Sequence, residues 1–387
     1  MPGVRSVAAS SLLARLPKGM VPLATVLVLH RATGSYAVAG SATALIAIGD
    51  AATTPVEGRL VDRFGMAAVL LPLAMLHLAG VAALLAFATR GSSVVGVAAG
   101  ACAAGIGVPP VSGCVKAVWP HLVDRHRLPA AYAIESLLQQ VTFLSGPLLV
   151  ALCATLANPV LALASAAVLV GVGTAWFVIA ARTVWPSSRE RRHWPRGAMR
   201  VAAVRALVCT TGAQSMVFGA LPVGIAAFTM AGNVPDLAGV VLASQTLGGV
   251  LGTFLPARTA TARRYTRLLV RYAAALGPVA VMAASPSSPT LFAIGLALLV
   301  AGLSITPIAA TGYLLTEQAT QSTHRTEAFA WLSTGQAVGN AAGAAVAGML
   351  IEHAGTVAAL TILPLAAALA AAISHWALRP TRDDTAR

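Results

Sequence analysis

Long stretches without a charged side chain decide what this chain can become. No Asp, Glu, Lys or Arg occurs in Phe64–Thr89, Gly91–Val115, Ser136–Ala181, Ala206–Pro235, Leu237–Ala257, Tyr272–Thr316, Ala328–Ile351 or His353–Leu378. Roughly 20 apolar residues cross the ~30 Å of bilayer hydrocarbon, so each block can span a membrane. Two blocks are double length and carry a breaker in the middle: Asn158-Pro159 in one, Ser285-Pro286-Ser287-Ser288-Pro289 in the other. The blocks therefore predict ten crossings. Leu12–Glu57, turning at Thr33-Gly34-Ser35-Tyr36, adds two, for twelve. The blocks are continuously apolar, whereas barrel strands alternate over about ten residues, so the spans are read as α-helices. Only 10% of residues are charged, against roughly 25% in soluble domains.

The net charge of +14 could suggest a nucleic-acid partner, but its distribution does not. With the N-terminus inside, the tail holds Arg5, Arg15 and Lys18, and the loop between spans 2 and 3 holds Arg59 and Arg63. Lys116, Arg125 and Arg127 fall between spans 4 and 5, and seven arginines from Arg182 to Arg205 fall between spans 6 and 7. Only Arg31 and Arg90 are left outside. This asymmetry is the positive-inside pattern and predicts two cytoplasmic termini, with the arginine clusters on anionic head groups. The cysteines Cys102, Cys114, Cys153 and Cys209 lie in apolar blocks with no C-x-x-C pair and read as small buried residues. No cleavable leader is recognised. The preference for Arg over Lys suggests a GC-rich bacterial genome, and hence an inner (plasma) membrane protein.

Residues 182–200 are the longest polar stretch and read as a cytoplasmic linker between an N-terminal six-helix half, 1–181, and a C-terminal half, 201–387. The halves repeat. A shift of 197 residues places Pro110 on Pro307, Ala131-Tyr132-Ala133 on Ala328-Phe329-Ala330, Ser136 on Ser333, Gln139 on Gln336 and Gly146 on Gly343. A shift of 199 places Gly49 on Gly248 and Arg59 on Arg258. Such repeats are common in secondary transporters. The fold class expected is therefore all-α integral membrane, with twelve transmembrane helices in two pseudo-symmetric halves.

Between spans 2 and 3 stands Gly58-Arg59-Leu60-Val61-Asp62-Arg63-Phe64-Gly65. It resembles the loop signature of the major facilitator superfamily, G-x-x-x-D-R-x-G, with Met66 departing where a basic residue is usual. The resemblance implies that Gly58, Asp62, Arg63 and Gly65 form a conformational latch against the start of span 11. The motif has a physical rationale: glycines permit a tight interhelical turn, and an Asp can accept from a helix N-terminus. Ser145-Gly146-Pro147 is similar to the Gly-Pro core of drug–proton antiporters, and it is equally a kink and close-packing site. Gly335, Gly339 and Gly343, four residues apart, read as a packing stripe.

An ionisable side chain in a membrane needs a function or a partner. Asp50 lies eight residues before Gly58, about 12 Å along the helix, near mid-membrane. It is the first candidate for proton coupling, with Thr53 and Thr54 as the alternative partners of a structural carboxyl. Glu135 is the second candidate, and pairing with Lys116, Arg125 or Arg127 is its structural alternative. His30, Arg31 and His77 read as interface or packing residues. The resemblance places Gln139, Gln336, Gln214, Asn340, Gln245 and Tyr313, together with Gln140, Ser215 and Thr306, on cavity-lining spans. The repeat makes Gln139 and Gln336 the leading substrate contacts, facing each other across the cavity.

Neither lysine fits a P-loop, and there is no H-E-x-x-H or G-x-S-x-G. No enzyme activity, metal or cofactor is expected, and the proton gradient would be the energy source. The expectation is a monomeric secondary transporter exporting a small organic molecule, a drug or secondary metabolite, against proton entry. Uptake of a sugar, amino acid or similar solute is the first alternative. A membrane receptor or assembly protein that no longer transports is the second.

Overall fold

The computed structural model of the chain describes residues 2–34, 36–89, 93–156, 158–182, 197–232, 237–255, 260–283, 288–321 and 324–378. Among these residues the regular elements are α-helices and short 3-10 turns, with no strand. The breakers act where the sequence places them. Asn158 caps a helix over Pro159–Ala181, its side chain accepting from Leu161 N at 2.9 Å, with proline at the first helical position. Ser285, Pro286 and Ser287 lie outside the described residues, and so do 183–196 of the linker.

Contacts sort the chain into two units. The first comprises Met1–Arg125, Leu138–Gly197 and Ser322–Thr334. It holds α1 (Pro2–Thr33), α2 (Tyr36–Phe64), α3 (Met66–Thr89), α4 (Val94–Ile106), α5 (Val111–Leu122), most of α6 (Leu128–Leu156) and α7 (Pro159–Ala181), with the first turns of α13 (Arg325–Ala377). The second comprises His126–Leu137, Ala198–Gln321 and Gly335–Arg387. It holds the first turns of α6, then α8 (Ala202–Ala231), α9 (Ala238–Gly252), α10 (Ala262–Met282), α11 (Ser288–Gly302), α12 (Ile305–Ala319) and the rest of α13. The units follow the two halves except that the first turns of α6 and α13 are exchanged. Those helices begin at Leu128 and Arg325, related by the 197-residue repeat.

Eight helical stretches among the described residues are long and apolar enough to cross a membrane. Val94–Leu122 is one of them, broken between α4 and α5, and Thr290–Ala319 joins α11 to α12 in the same way. Pro110 caps the start of α5, and Pro307, its repeat-related partner, lies in the first turn of α12. α13 counts double: 53 residues turn at Gly355, whose φ of 82° suits glycine. The remaining spans are α2, whose last turns carry charge, the 15-residue α9, and α10 with its four arginines. The sequence count of twelve follows.

Small residues set the packing, as expected where lipid removes the hydrophobic drive between helices. Gly146 of α6 lies against the backbone of Gly19 of α1, with no room for a Cβ, so it is a close-packing site. Gly339 and Gly343 of α13 likewise meet the carbonyls of Gly212 and Met216 on α8. In the first unit Met20, Ala24, Leu29, Leu84, Ala101, Leu163 and Ala166 join one buried core. Large apolar side chains such as Phe254 and Phe292, about 80% exposed, point outward, the reverse of a water-soluble surface.

Three assignments change. Arg59 and Arg63 stand in the last turns of α2 and not in the loop after it. α1 starts at Pro2, so Arg5, Arg15 and Lys18 are helical and not part of a tail. Val7 and Ala14 are buried, which extends the helix, and Arg15 donates its Nε to Ser11 O at 3.0 Å. Lys116 belongs to α5 and is 2% exposed, not a loop residue.

Candidate functional site

The site is built on one face of α2. Asp50, Thr54 and Glu57 recur at four- and three-residue steps, which stack on one side of a helix. Asp50 accepts from Lys18 Nζ of α1 at 3.0 Å and from the Thr54 hydroxyl at 3.1 Å. The two charged side chains are 31% and 26% exposed, so the pair is partly open and not sealed in the protein interior. The Asp50 carboxylate therefore stays within reach of an exchanging proton or cation. Glu57 differs: it is 3% exposed and neither carboxyl oxygen has a hydrogen-bond partner.

Past the span, α2 ends on the signature loop. Gly65 takes φ 90° and donates its N–H to Val61 O at 2.8 Å, closing the helix with the left-handed residue that glycine supplies. Asp62 Oδ2 accepts the backbone N–H of Glu327 at 3.0 Å, so a side chain from α2 satisfies a free donor in the first turn of α13. Arg59 Nε donates to Glu327 Oε1 at 2.7 Å, and His324 Nδ1 lies 3.7 Å from Oε2. Glu327 is 2% exposed on its side chain while Arg59 is 35% exposed, so the carboxylate depends on this partner more than the guanidinium does. At Gly58 a Cβ would come to 2.8 Å from Ala330 Cβ and 3.1 Å from Glu327 Cα, which is why α13 can approach so closely. Arg63 stacks over the Phe64 ring, 4.9 Å from its centroid. Burial pushes the Asp62 carboxyl up to about 7, against the opposing pull of its hydrogen bonds from Thr326 and Glu327.

The other predicted residues are placed as follows. Glu135 is fully buried on α6 in the second unit, with a partner. Gln139, in the first unit, and Gln336, in the second, are both half-buried and engaged. Gln214 is buried on α8, and Asn340 is exposed on α13. Gln245 donates its amide to Tyr272 Oη at 3.3 Å, an α9–α10 bond, and Thr306 donates to Gly249 O at 2.6 Å. Tyr313 packs edge-on to Tyr132, 5.8 Å between centroids at 63°. His77 is buried with Nδ1 2.8 Å from Ala104 O, the packing role expected of it.

Sequence reasoning passed over Lys18, Glu57 and Glu327. Signals for two of them exist: Glu57 is seven residues from Asp50, and Glu327 is an acid in the first turn of a helix.

The family model of the Major Facilitator Superfamily matches residues 7–322. Curated protein sequences give no significant match. Among solved structures, a bacterial homologue of the iron transporter ferroportin in an outward-facing state aligns with a TM-score of 0.81 at 14% identity, covering 97% of this chain and 99% of that one. The human organic anion transporter MFSD10 aligns at 0.70 and 18% identity, covering 96% and 98%. The proton:xylose symporter XylE aligns at 0.72 and 15%, covering 95% and 94%. At such identities the likeness carries the fold. With the family match over most of its length, a multi-pass helical architecture and an occupied signature loop, this chain belongs to the Major Facilitator Superfamily.

Proposed function

We propose that the chain is a proton-coupled exporter of a small organic molecule, a drug or secondary metabolite, working by alternating access from the bacterial inner membrane. The Lys18–Asp50 pair is the observation that carries this reading. A proton on Asp50, or a monocationic solute beside it, replaces Lys18. One carboxylate can then serve proton and cargo in turn, which is the exchange an antiporter needs. Glu135 assists from α6. Gln139, Gln336, Gln214 and Asn340 supply hydrogen bonds to the cargo. Tyr313 and Gln245 add further contacts to the cargo, held in place by Tyr132 and Tyr272. Gly58, Asp62, Arg63 and Gly65 latch the start of α13 and release it when the two six-helix halves rock. The transporter works as a monomer with both termini in the cytoplasm, and the proton gradient takes the place of a cofactor.

The second reading is uptake of a sugar, amino acid or similar solute on the same fold. Lys18 favours it, because an ammonium group in α1 can donate to hydroxyls or a carboxylate. XylE and an E. coli fucose:proton symporter are similar in fold. A metal cargo has no comparable support: among the described residues no group of three or more His, Cys, Asp or Glu converges. A non-transporting receptor has little use for the charged contacts at Glu327. Efflux and toxicity screening in a host lacking its own pumps, followed by flux assays in vesicles with an imposed pH gradient, separates the readings. Resistance with gradient-driven expulsion supports export, and accumulation supports uptake. Unchanged coupling in Asp50→Asn would remove Asp50 from the mechanism.

A further inference from the structure

Glu57 is buried deeper than Asp50 and lacks what Asp50 has. Lys18 is spent on Asp50. Arg59, two residues after Glu57, is spent on Glu327. The Thr53 hydroxyl, one turn earlier, donates to Gly49 O at 2.9 Å. An ionised carboxylate removed from water without hydrogen bonds costs several kcal/mol, and a neutral acid costs far less. The neutral acid also has an O–H to give to the Thr53 oxygen.

Among the described residues Lys18 and Arg59 are paired, and Lys116 of α5 and Arg325 at the start of α13 each have a partner. Lys18 of α1 and Asp50 of α2 act on Glu57 with opposite signs, and Cys114 of α5 feels both Glu57 and Asp62. His77 of α3 faces the same Lys18–Asp50 pair. α4 carries no ionisable side chain except Cys102. At the start of α13 Glu327 is already paired with Arg59, and His324, just before the helix, lies 3.7 Å from it. Glu57 lies seven residues from Asp50 and five from Asp62, about 10 Å and 7.5 Å along the helix, between the mid-membrane pair and the latch. Two residues packed against the start of α13 are glycines. Gly58 meets Ala330 and Glu327, and a Cβ on Gly113 of α5 would lie 3.5 Å from Ala330 N and Thr326 O. Glu57 and Cys114 follow or precede those glycines directly, and both are buried. The repeat does not duplicate the arrangement: the shift of 199 that takes Arg59 to Arg258 takes Asp50 to Gly249 and Glu57 to Pro256.

We infer that Glu57 is a second proton-holding site, loaded while the first turns of α13 sit on Gly58 and emptied to water when that packing opens. On release the O–H bond of the acid breaks, the proton passes to a water molecule, and the carboxylate remains, now hydrated. The inference deepens the proton-coupled reading and rests on it.

Infrared spectroscopy of the purified full chain in liposomes at pH 7 tests it. The carbonyl stretch of protonated carboxylic acid is expected in the wild type, reduced in Glu57→Gln to the part that Asp62 contributes, and retained in Asp50→Asn. Gly58→Leu forces α13 away. The Glu57 contribution, taken as the difference between Gly58→Leu and its Glu57→Gln double variant, is expected to vanish. If Gly58→Leu does not assemble, Arg59→Ala serves in its place. Coincident wild-type and Glu57→Gln spectra overturn the inference, and so does a Glu57 band that survives unpacking. None of these spectra needs a cargo. Wild-type flux that ignores a pH gradient sinks the proton-coupled reading, and this role for Glu57 with it, even with the band present. Gradient-driven flux with no difference between the wild-type and Glu57→Gln bands sinks the assignment of Glu57 alone.

Discussion

Removing Arg59 should loosen the start of α13 more than removing Arg59 and the charge of Glu327 together. Glu327 is 2% exposed and Arg59 Nε is 2.7 Å from its Oε1. In Arg59→Ala the carboxylate stays buried with His324 at 3.7 Å as its nearest remaining charged neighbour in the contact. Breaking a buried pair from one side costs about 3–5 kcal/mol. Arg59 is itself 35% exposed, and solvent screening brings the expected loss to about 2 kcal/mol. That corresponds to a ~30-fold rise in opening. In Arg59→Ala/Glu327→Gln no charge is stranded, the Asp62 cap on the Glu327 N–H remains, and the loss falls to about 1 kcal/mol or less. Hydrogen exchange of residues 325–334, read by mass spectrometry at pH 7.5 in liposomes, measures both. A double variant that exchanges as fast as Arg59→Ala, or faster, refutes the reasoning, because the penalty would then lie in the lost pair and not in the orphaned carboxylate.

Other outcomes follow from the same contacts. Gly339→Leu collides with the Gly212 carbonyl on α8 and should lower the thermal midpoint sharply, with a cost of about 3 kcal/mol; Gly348→Leu meets nothing within 4 Å and should fold normally in the same melting assay. Gly355→Ala, at φ 82° and ψ 175°, a backbone region that almost only glycine occupies, should cost about 1–3 kcal/mol through strain alone, seen in the same melts. Gln245→Leu should cost about 0.6 kcal/mol in denaturant titrations, the worth of one interhelical hydrogen bond. Asp62 carries a pH signature. Its carboxyl sits at about 7 when packed and near the ordinary 3.8 when released, so the packed state holds the extra proton. Closure is favoured most below pH ~4, weakens as pH rises, and is constant above ~7. Exchange of 325–334, corrected for its intrinsic pH dependence, should follow that curve, and Asp62→Asn should flatten it.

The spans and the repeat were legible because lipid imposes a one-dimensional rule: a charge-free run of sufficient length is a crossing, and a proline or Asn-Pro divides it. Gly65 and Asp62 were legible because a left-handed turn and a helix cap each demand a residue type. Lys18 was not, since the same positive-inside logic that located the arginines assigned it to a tail, whereas packing of Val7 and Ala14 extends α1 through it. Arg59 and Glu327 lie 268 positions apart, and no local pattern announces such a partner. Gln245 shows the converse. A polar residue on an expected cavity span proved to be satisfied by its neighbour Tyr272, and composition alone cannot tell the two fates apart.

The central claim, proton-driven export through Asp50, is tested most directly in proteoliposomes loaded with the solute that the efflux screen identifies, with an imposed pH gradient and matched wild-type and Asp50→Asn protein. The account predicts solute movement opposite to the proton gradient in the wild type, abolished when the gradient is collapsed and uncoupled from it in Asp50→Asn. Movement in the same direction as protons, or gradient-driven flux unchanged in Asp50→Asn, contradicts it.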